Sequence, residues 1–217
     1  MLKEYHTLDE TEVGIDEAGR GCLMGPVCVG AVVLPPGGFV DPPFEIKDSK
    51  KMSAKKRKAL RTYIETNALA YSVNTVDIDI IDRINILQAT MKGMHACMDD
   101  ICKHVSVDTI LVDGTYFPIY THPQTFDAIS HRCIQGGDNQ YQSIAAASIL
   151  AKEYRDEYMD DLVSKYPVLE DYGIHTNKGY GTVKHMEALY EKGVTQWHRR
   201  SFEPSKSLLI KELQESS

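Results

Sequence analysis

A chain of 217 residues, 42% hydrophobic and 25% charged, is long enough to bury about 70% of its unfolded surface around one core. That balance excludes wholesale disorder, collagen-like repeats and coiled-coil fibres. The net charge of −7 argues against a nucleic-acid partner until its distribution is read: residues 47–61 carry eight Lys or Arg against one acid, and residues 178–200 carry five against two. An acidic protein can still offer a local positive surface to phosphates, although a solvated helix face explains the same clustering. Five cysteines with no CxxC pair fit neither a disulfide framework nor a zinc knuckle. The longest apolar run, 27–34, is far short of the roughly 20 residues that span a bilayer. The opening MLKEYHTLDE lacks a signal pattern, so a reduced, cytoplasmic protein with no membrane association is expected.

In chain order, residues 12–16 and 27–34 are short β-rich runs separated by a glycine-rich turn. PPGG followed by FVDPP breaks both periodicities and forms a loop. Residues 53–66 predict a helix with Ala59, Leu60, Tyr63 and Ile64 on one face, and 69–76 a third strand. Ile84, Leu87, Met91, Met94, Met98 and Ile101 alternate three and four apart, giving a long amphipathic helix whose methionines fill a core. Residues 109–112 predict a short buried strand ending in Asp113-Gly114, and 126–133 a weaker one. A second long helix carries Ile144, Ala147, Ala151, Tyr154, Tyr158 and Leu162; a short one carries Met186, Leu189 and Tyr190 and stops at Gly193. Early strands on short links and later strands separated by helices predict a mixed sheet flanked by helices, an α/β fold.

Several nucleotide motifs fail. Gly19, Gly21 and Gly25 are spaced one residue too widely for a dinucleotide fingerprint, no Walker lysine is present, and no G-x-S-x-G elbow occurs. Asp77, Asp79 and Asp82 precede a helix, where capping and the helix dipole account for acids without a cation. What remains is a set of acids at element ends beside glycine: Asp16 and Glu17 before Ala18-Gly19-Arg20-Gly21, Asp113 before Gly114, and Asp138 after Gly136-Gly137. Strand ends are where α/β sheets place their sites. Singly, each acid is also an ordinary turn former or cap. Asp16 and Glu17 point to opposite faces of a regular strand, so both can serve one site only if the strand breaks there. Four gathered carboxylates would repel by roughly 4 kcal/mol per close pair at an intermediate dielectric. Such a cluster needs cations, and all-oxygen ligation favours Mg²⁺ or Mn²⁺ over zinc. A pair of such ions about 4 Å apart is suited to phosphodiester hydrolysis.

These residues also carry a resemblance. GIDEAGRG at 14–21, KDSKKMS at 47–53, IDRINILQAT at 81–90, VDG at 112–114, SIAAASILAKEYRD at 143–156, NKGYGT at 177–182 and HRRSF at 198–202 follow one another as in the ribonuclease HII family. The match runs over about 13–202. The resemblance implies a ribonuclease H-like fold, a five-stranded mixed sheet flanked by helices with a C-terminal helical extension. It implies one catalytic domain over 1–202 and a tail over 203–217. The catalytic and metal-binding set carried over is Asp16, Glu17, Asp113 and Asp138, although the lysines common two residues either side of the last acid are Gly136 and Gln140 here. Gly19, Arg20 and Gly21 match the segment that meets the 2′-hydroxyl at an RNA–DNA junction, and Tyr180 the tyrosine that packs on the sugar there. Lys47, Lys50, Lys178 and Arg199 are expected on the substrate surface, together with Lys51, Lys184 and Arg200. His131, His175, His185 and His198 have no mutual ligand spacing, and Cys97 and Cys102 read as inert.

The activity so implied is that of a Mg²⁺- or Mn²⁺-dependent endoribonuclease using two ions. It cuts the RNA strand of RNA–DNA hybrids, and duplex DNA 5′ to an embedded ribonucleotide, leaving 5′-phosphate and 3′-hydroxyl ends. That chemistry serves removal of RNA primers and misincorporated ribonucleotides, in DNA replication and repair. The protein is expected to be a monomer, with a replication partner possible through the tail. The rivals are a two-metal nuclease of the same fold with another substrate, and a non-catalytic hybrid-binding module.

Overall fold

The computed structural model describes residues 2–47, 49 and 52–215. In chain order the elements are β1 (Glu12–Ala18), β2 (Val27–Val33), α1 (Ala54–Asn67), β3 (Ala70–Val76), α2 (Ile78–Ile101), β4 (Thr109–Asp113), β5 (Tyr120–Thr121), β6 (Ala128–Ile134), α3 (Gln142–Lys165), α4 (Ile174–Asn177), α5 (Val183–Lys192) and α6 (Ser205–Glu215). Among the described residues they form one mixed sheet in the order β3-β2-β1-β4-β6-β5. The expected mixed α/β sheet is therefore present. It has six strands rather than five because the two-residue β5 pairs with β6, a strand too short to leave a periodic signal.

The chain divides into two compact units that interleave along the sequence. The first comprises residues 1–18, 28–74 and 90–154; the second comprises 19–27, 75–89 and 155–217.

In the first unit, β1 pairs antiparallel with β2 and parallel with β4, and β4 pairs parallel with β6. The carboxyl ends of β1, β4 and β6 therefore lie at one edge of the sheet. Over residues 143–151 α3 is buried throughout, packed against this sheet. Gly14 and Gly30 are the reason it can approach so closely: a Cβ at Gly14 would lie 2.3 Å from the Ser143 backbone, and one at Gly30 would lie 2.4 Å from the Ala147 carbonyl oxygen. The small residues of SIAAAS are the other half of that contact. Leu60 and Ile64 of α1 complete a core with Val32, Phe39, Ile46, Met52, Ala145, Ala146, Ala147, Ile149 and Leu150, in agreement with the predicted helix face.

The predicted single helix through Ile84 is interrupted. Asn85 has φ 66° and ψ 164° inside α2, and its side-chain oxygen accepts from the Gln88 amide at 3.1 Å. Asparagine offers the backbone a local partner in place of the helical one, so it caps the longer second segment. Met91, Met94 and Met98 are buried as expected.

In the second unit, one core gathers Met24, Met159, Val163, Leu169, Tyr172, Ile174, Ala188 and Leu189, with Leu208 of α6 packed against it. Tyr190, placed by the sequence on the apolar face of α5, is 63% exposed. No helix among the described residues is long and apolar enough to cross a membrane.

Candidate active site

Three of the four expected acids converge. Asp16, Asp113 and Asp138 each offer a carboxylate oxygen, and these oxygens all lie within 4.8 Å of one another. Sheet register explains the meeting of the first two. Ile15 pairs with Val112 across the parallel β1–β4 ladder, which sets Asp16 abreast of Asp113 with their side chains on one face. Asp138 arrives on the short 3₁₀ turn Gly137–Asn139 that follows β6. That turn is tied to β4 by the Gly137 amide donating to Asp113 Oδ1 at 2.8 Å.

Glu17 lies outside this convergence. β1 stays paired through Ala18, whose partner is Cys28, so Glu17 follows Asp16 on an unbroken strand and its carboxylate is not one of the three that meet within 4.8 Å. It still acts electrostatically. Burial pushes the Asp16 carboxyl well above its ordinary range, and the charges of Glu17 and Asp113 push it further. The Ser148 side chain and the Glu17 amide, which donates to Asp16 Oδ1 at 2.7 Å, oppose that rise.

Ser148 belongs to the buried stretch of α3 and shares a 2.9 Å hydrogen bond with Ser49. Three carboxylates crowded into a largely buried pocket, with acceptors only, form a donor set suited to a hard divalent cation. No second cluster of this kind occurs among the described residues.

The glycine-rich loop lies in the second unit. Gly19 has φ 87°, and a Cβ there would sit 1.8 Å from Arg155 Nε; both conformation and space require glycine. Arg155 is almost fully buried. Its Nε, Nη1 and Nη2 donate to the carbonyls of Pro26, Lys178 and Met24 at 2.9, 2.8 and 3.0 Å. The sequence signal for it is a lone charge at position 155 on the apolar stripe of α3, one turn after Ala151.

Arg199 departs from expectation. Rather than facing substrate it is fully buried, because its guanidinium is taken up by the carbonyls of Gly19, Arg20, Gly25 and Pro26 at 2.7–3.1 Å. Burial pulls it down to about 10, which leaves it cationic at neutral pH.

Tyr180 is 39% exposed with its ring 5.9 Å from the Arg155 guanidinium, in keeping with a tyrosine on an exposed glycine-flanked loop. Gly21 and Arg20 are exposed. Lys178 is half-buried and its Nζ pairs with Asp160, while Lys47 pairs with Glu45 at 2.9 Å. Lys50 and Lys51 lie outside the described residues.

The histidines hold a second surprise. His185 Nε2 and His198 Nε2 are 3.0 Å apart and both rings are buried. The Thr195 amide donates to His198 Nδ1 at 3.0 Å, so the His198 proton sits on Nε2 and donates to His185. His185 in turn donates from Nδ1 to the Tyr180 carbonyl at 3.0 Å. Burial and the neighbouring ring pull His198 down to about 3. Thirteen residues separate the pair, a spacing with no ligand or helical meaning, so the sequence carried no sign of it.

An α/β sheet with three carboxylates at the ends of its parallel strands defines a metal-assisted hydrolase of the ribonuclease H-like type. The ribonuclease HII family model matches residues 13–205. A ribonuclease HII from Cytophaga hutchinsonii is 44% identical over 201 residues, 93% of this chain and 93% of that protein. The crystal structure of ribonuclease H2 from Pyrococcus horikoshii aligns with TM-score 0.73 at 22% identity, covering 93% of this chain and 98% of that one. Ribonuclease HII of Archaeoglobus fulgidus, solved in complex with PCNA, aligns with TM-score 0.65 at 24% identity over 89% and 95%. The chain belongs to the ribonuclease HII family, endoribonucleases acting on RNA–DNA hybrids.

Proposed function

We propose that this enzyme cuts duplex DNA on the 5′ side of an embedded ribonucleotide as well as RNA–DNA hybrids, leaving 5′-phosphate and 3′-hydroxyl ends. The observation that carries the reading is the convergence of Asp16, Asp113 and Asp138 in a chain of this family. Two divalent ions, Mg²⁺ or Mn²⁺, would supply activation of the attacking water and stabilisation of the leaving 3′-oxygen.

The chain's own part is to hold the oxygens in place. Asp113 is oriented by the Gly137 amide, Asp138 by the Asn139 side chain at 2.7 Å, and Asp16 by the Glu17 amide and Ser148. Glu17, next to Asp16 at the end of β1, is assigned to the same catalytic and metal-holding set. Gly19, Arg20 and Gly21 are assigned to the ribose, with Tyr180 packing on the sugar. Glycine permits close backbone approach, and the 2′-hydroxyl distinguishes RNA from DNA. Lys47 and Lys178 are assigned to phosphates, each exchanging its carboxylate partner for substrate. Because the two units interleave along the chain, we read 1–202 as one catalytic domain. Removal of primers and misincorporated ribonucleotides is the task this specificity would serve. A replication partner on α6 is part of the same reading, supported by the exposure of Ile210 and Leu213.

The test is a DNA duplex bearing one ribonucleotide, incubated with protein and either Mg²⁺ or Mn²⁺, beside an all-DNA control and an Asp113→Asn variant. Cleavage 5′ to the ribonucleotide, absent in both controls, is the expected outcome. Tight binding without turnover would replace the enzyme with a hybrid-binding module, and equal cutting of all-DNA duplex would indicate a different nuclease.

A further inference from the structure

The loop assigned to the ribose is braced from inside by an arginine far away in sequence. Arg199 takes the carbonyls of Gly19 and Arg20 at the loop's start and those of Gly25 and Pro26 at its end, while its own amide donates to the Leu23 carbonyl at 2.8 Å. One planar fork thus cross-links both ends of the turn, and the Arg199 main chain holds its middle. In a trans peptide the N–H points opposite to the C=O of the same unit. With the Gly19 and Arg20 carbonyls drawn onto the guanidinium, the amides of Arg20 and Gly21 are directed away from it, on residues that are exposed.

The brace is itself seated. Asp82 accepts from the Arg200 amide and the Ser201 amide, both at 2.9 Å, and from Ser201 Oγ at 2.6 Å. The Phe202 ring lies 5.0 Å from the Arg199 guanidinium. Asp82 thereby fixes the backbone that presents Arg199.

We propose that Arg199, held by Asp82, is a positioning residue for substrate recognition: it aims the backbone amides of Arg20 and Gly21 as fixed donors toward the ribose 2′-oxygen. This rests on the reading above that the loop meets the ribose. A lysine at 199 keeps the charge but lacks the fork, and cannot align four carbonyls at once.

The experiment measures kcat and KM on the single-ribonucleotide duplex for wild type, Arg199→Lys and Asp82→Asn, with amide hydrogen exchange over residues 19–25 on the same proteins. Loss of charge-assisted hydrogen bonds predicts a KM rise of about tenfold for Arg199→Lys and about threefold for Asp82→Asn, with kcat within about twofold and faster exchange in the loop. A purely structural role would lower the active fraction, and so kcat, at constant KM. Unchanged KM with unchanged exchange overturns the proposal, and so does a fall in kcat alone. If Arg199→Lys does not fold, the milder Asp82→Asn decides. A wild type that fails to cut the duplex sinks the ribose reading instead, and exchange then judges the brace: unaltered loop exchange in the variants removes it too.

Discussion

The two buried charge systems of this protein are opposite in kind. The carboxylates Asp16, Asp113 and Asp138 crowd together as acceptors, and burial and mutual repulsion lift Asp16 far from its ordinary range. The guanidiniums of Arg155 and Arg199 are buried as deeply, yet they donate to carbonyls on several segments. The first system is incomplete by itself and gains from an added cation. The second is complete and is harmed by any subtraction. Function sits where electrostatic demand is unmet, and rigidity where it is met.

Substitutions sharpen the contrast. Asp113→Asn should lower kcat by about a thousandfold, a loss of several kcal/mol of transition-state stabilisation. The metal-free variant should nonetheless melt no lower than wild type, because a repulsion on Asp16 is removed; calorimetry beside turnover checks both halves. Arg155→Ala should do the reverse to stability, costing about 3–5 kcal/mol in denaturant unfolding as three buried carbonyls lose their donors. Equal effects of the two changes on melting would erase the distinction.

Added Mn²⁺ or Mg²⁺ should raise the melting temperature by the equivalent of about 2.7 kcal/mol at a hundred times the dissociation constant. That gain should vanish in Asp16→Asn.

The histidine relay provides a titration. The folded state holds His198 at about 3, below its unfolded value, so its stabilising contribution is fully present above pH 6.5 and is lost as pH falls toward 3. Between pH 6.5 and 5 the loss is roughly 2 kcal/mol. A His198→Gln variant should show a flatter acid limb in melting temperature against pH; an unchanged limb would mean the ring is not held neutral. The smallest effect belongs to the surface. If Lys178 exchanges Asp160 for a phosphate, Lys178→Ala should reduce the salt slope of substrate binding by about 0.9.

Legibility in the sequence followed the same division. β1, β2 and β4 are legible as apolar runs; Asp16 and Asp113 at the ends of β1 and β4 stand near glycines, as does Asp138 after Gly136-Gly137, so the three converging carboxylates can be read residue by residue. Glu17 could not be resolved, since only the pairing of Ala18 with Cys28 shows that β1 stays regular there. β6 alternates exposed and half-exposed residues and gave a weak signal, and β5 gave none. The Asn85 break was hidden inside a continuous apolar stripe. The local pattern places Arg199 on the surface because clustered basic residues normally face water; its partners lie more than 170 residues away. Local pattern cannot report a hydrogen bond of that span.

The interleaving of the two units has a consequence for biosynthesis. The amino-terminal end of the chain supplies Gly19 to Pro26, but the guanidinium that closes this turn is made 180 residues after Gly19. A nascent chain that has emerged as far as α4 holds Asp16, Asp113 and Asp138 together with Arg155, yet lacks Arg199 and the segment that Asp82 anchors. Contacts of such long sequence separation form late in folding. On the ribosome, the carboxylates are therefore available well before the turn can be locked, and a loop made before any of α1–α6 is among the last parts of the molecule to reach its final shape.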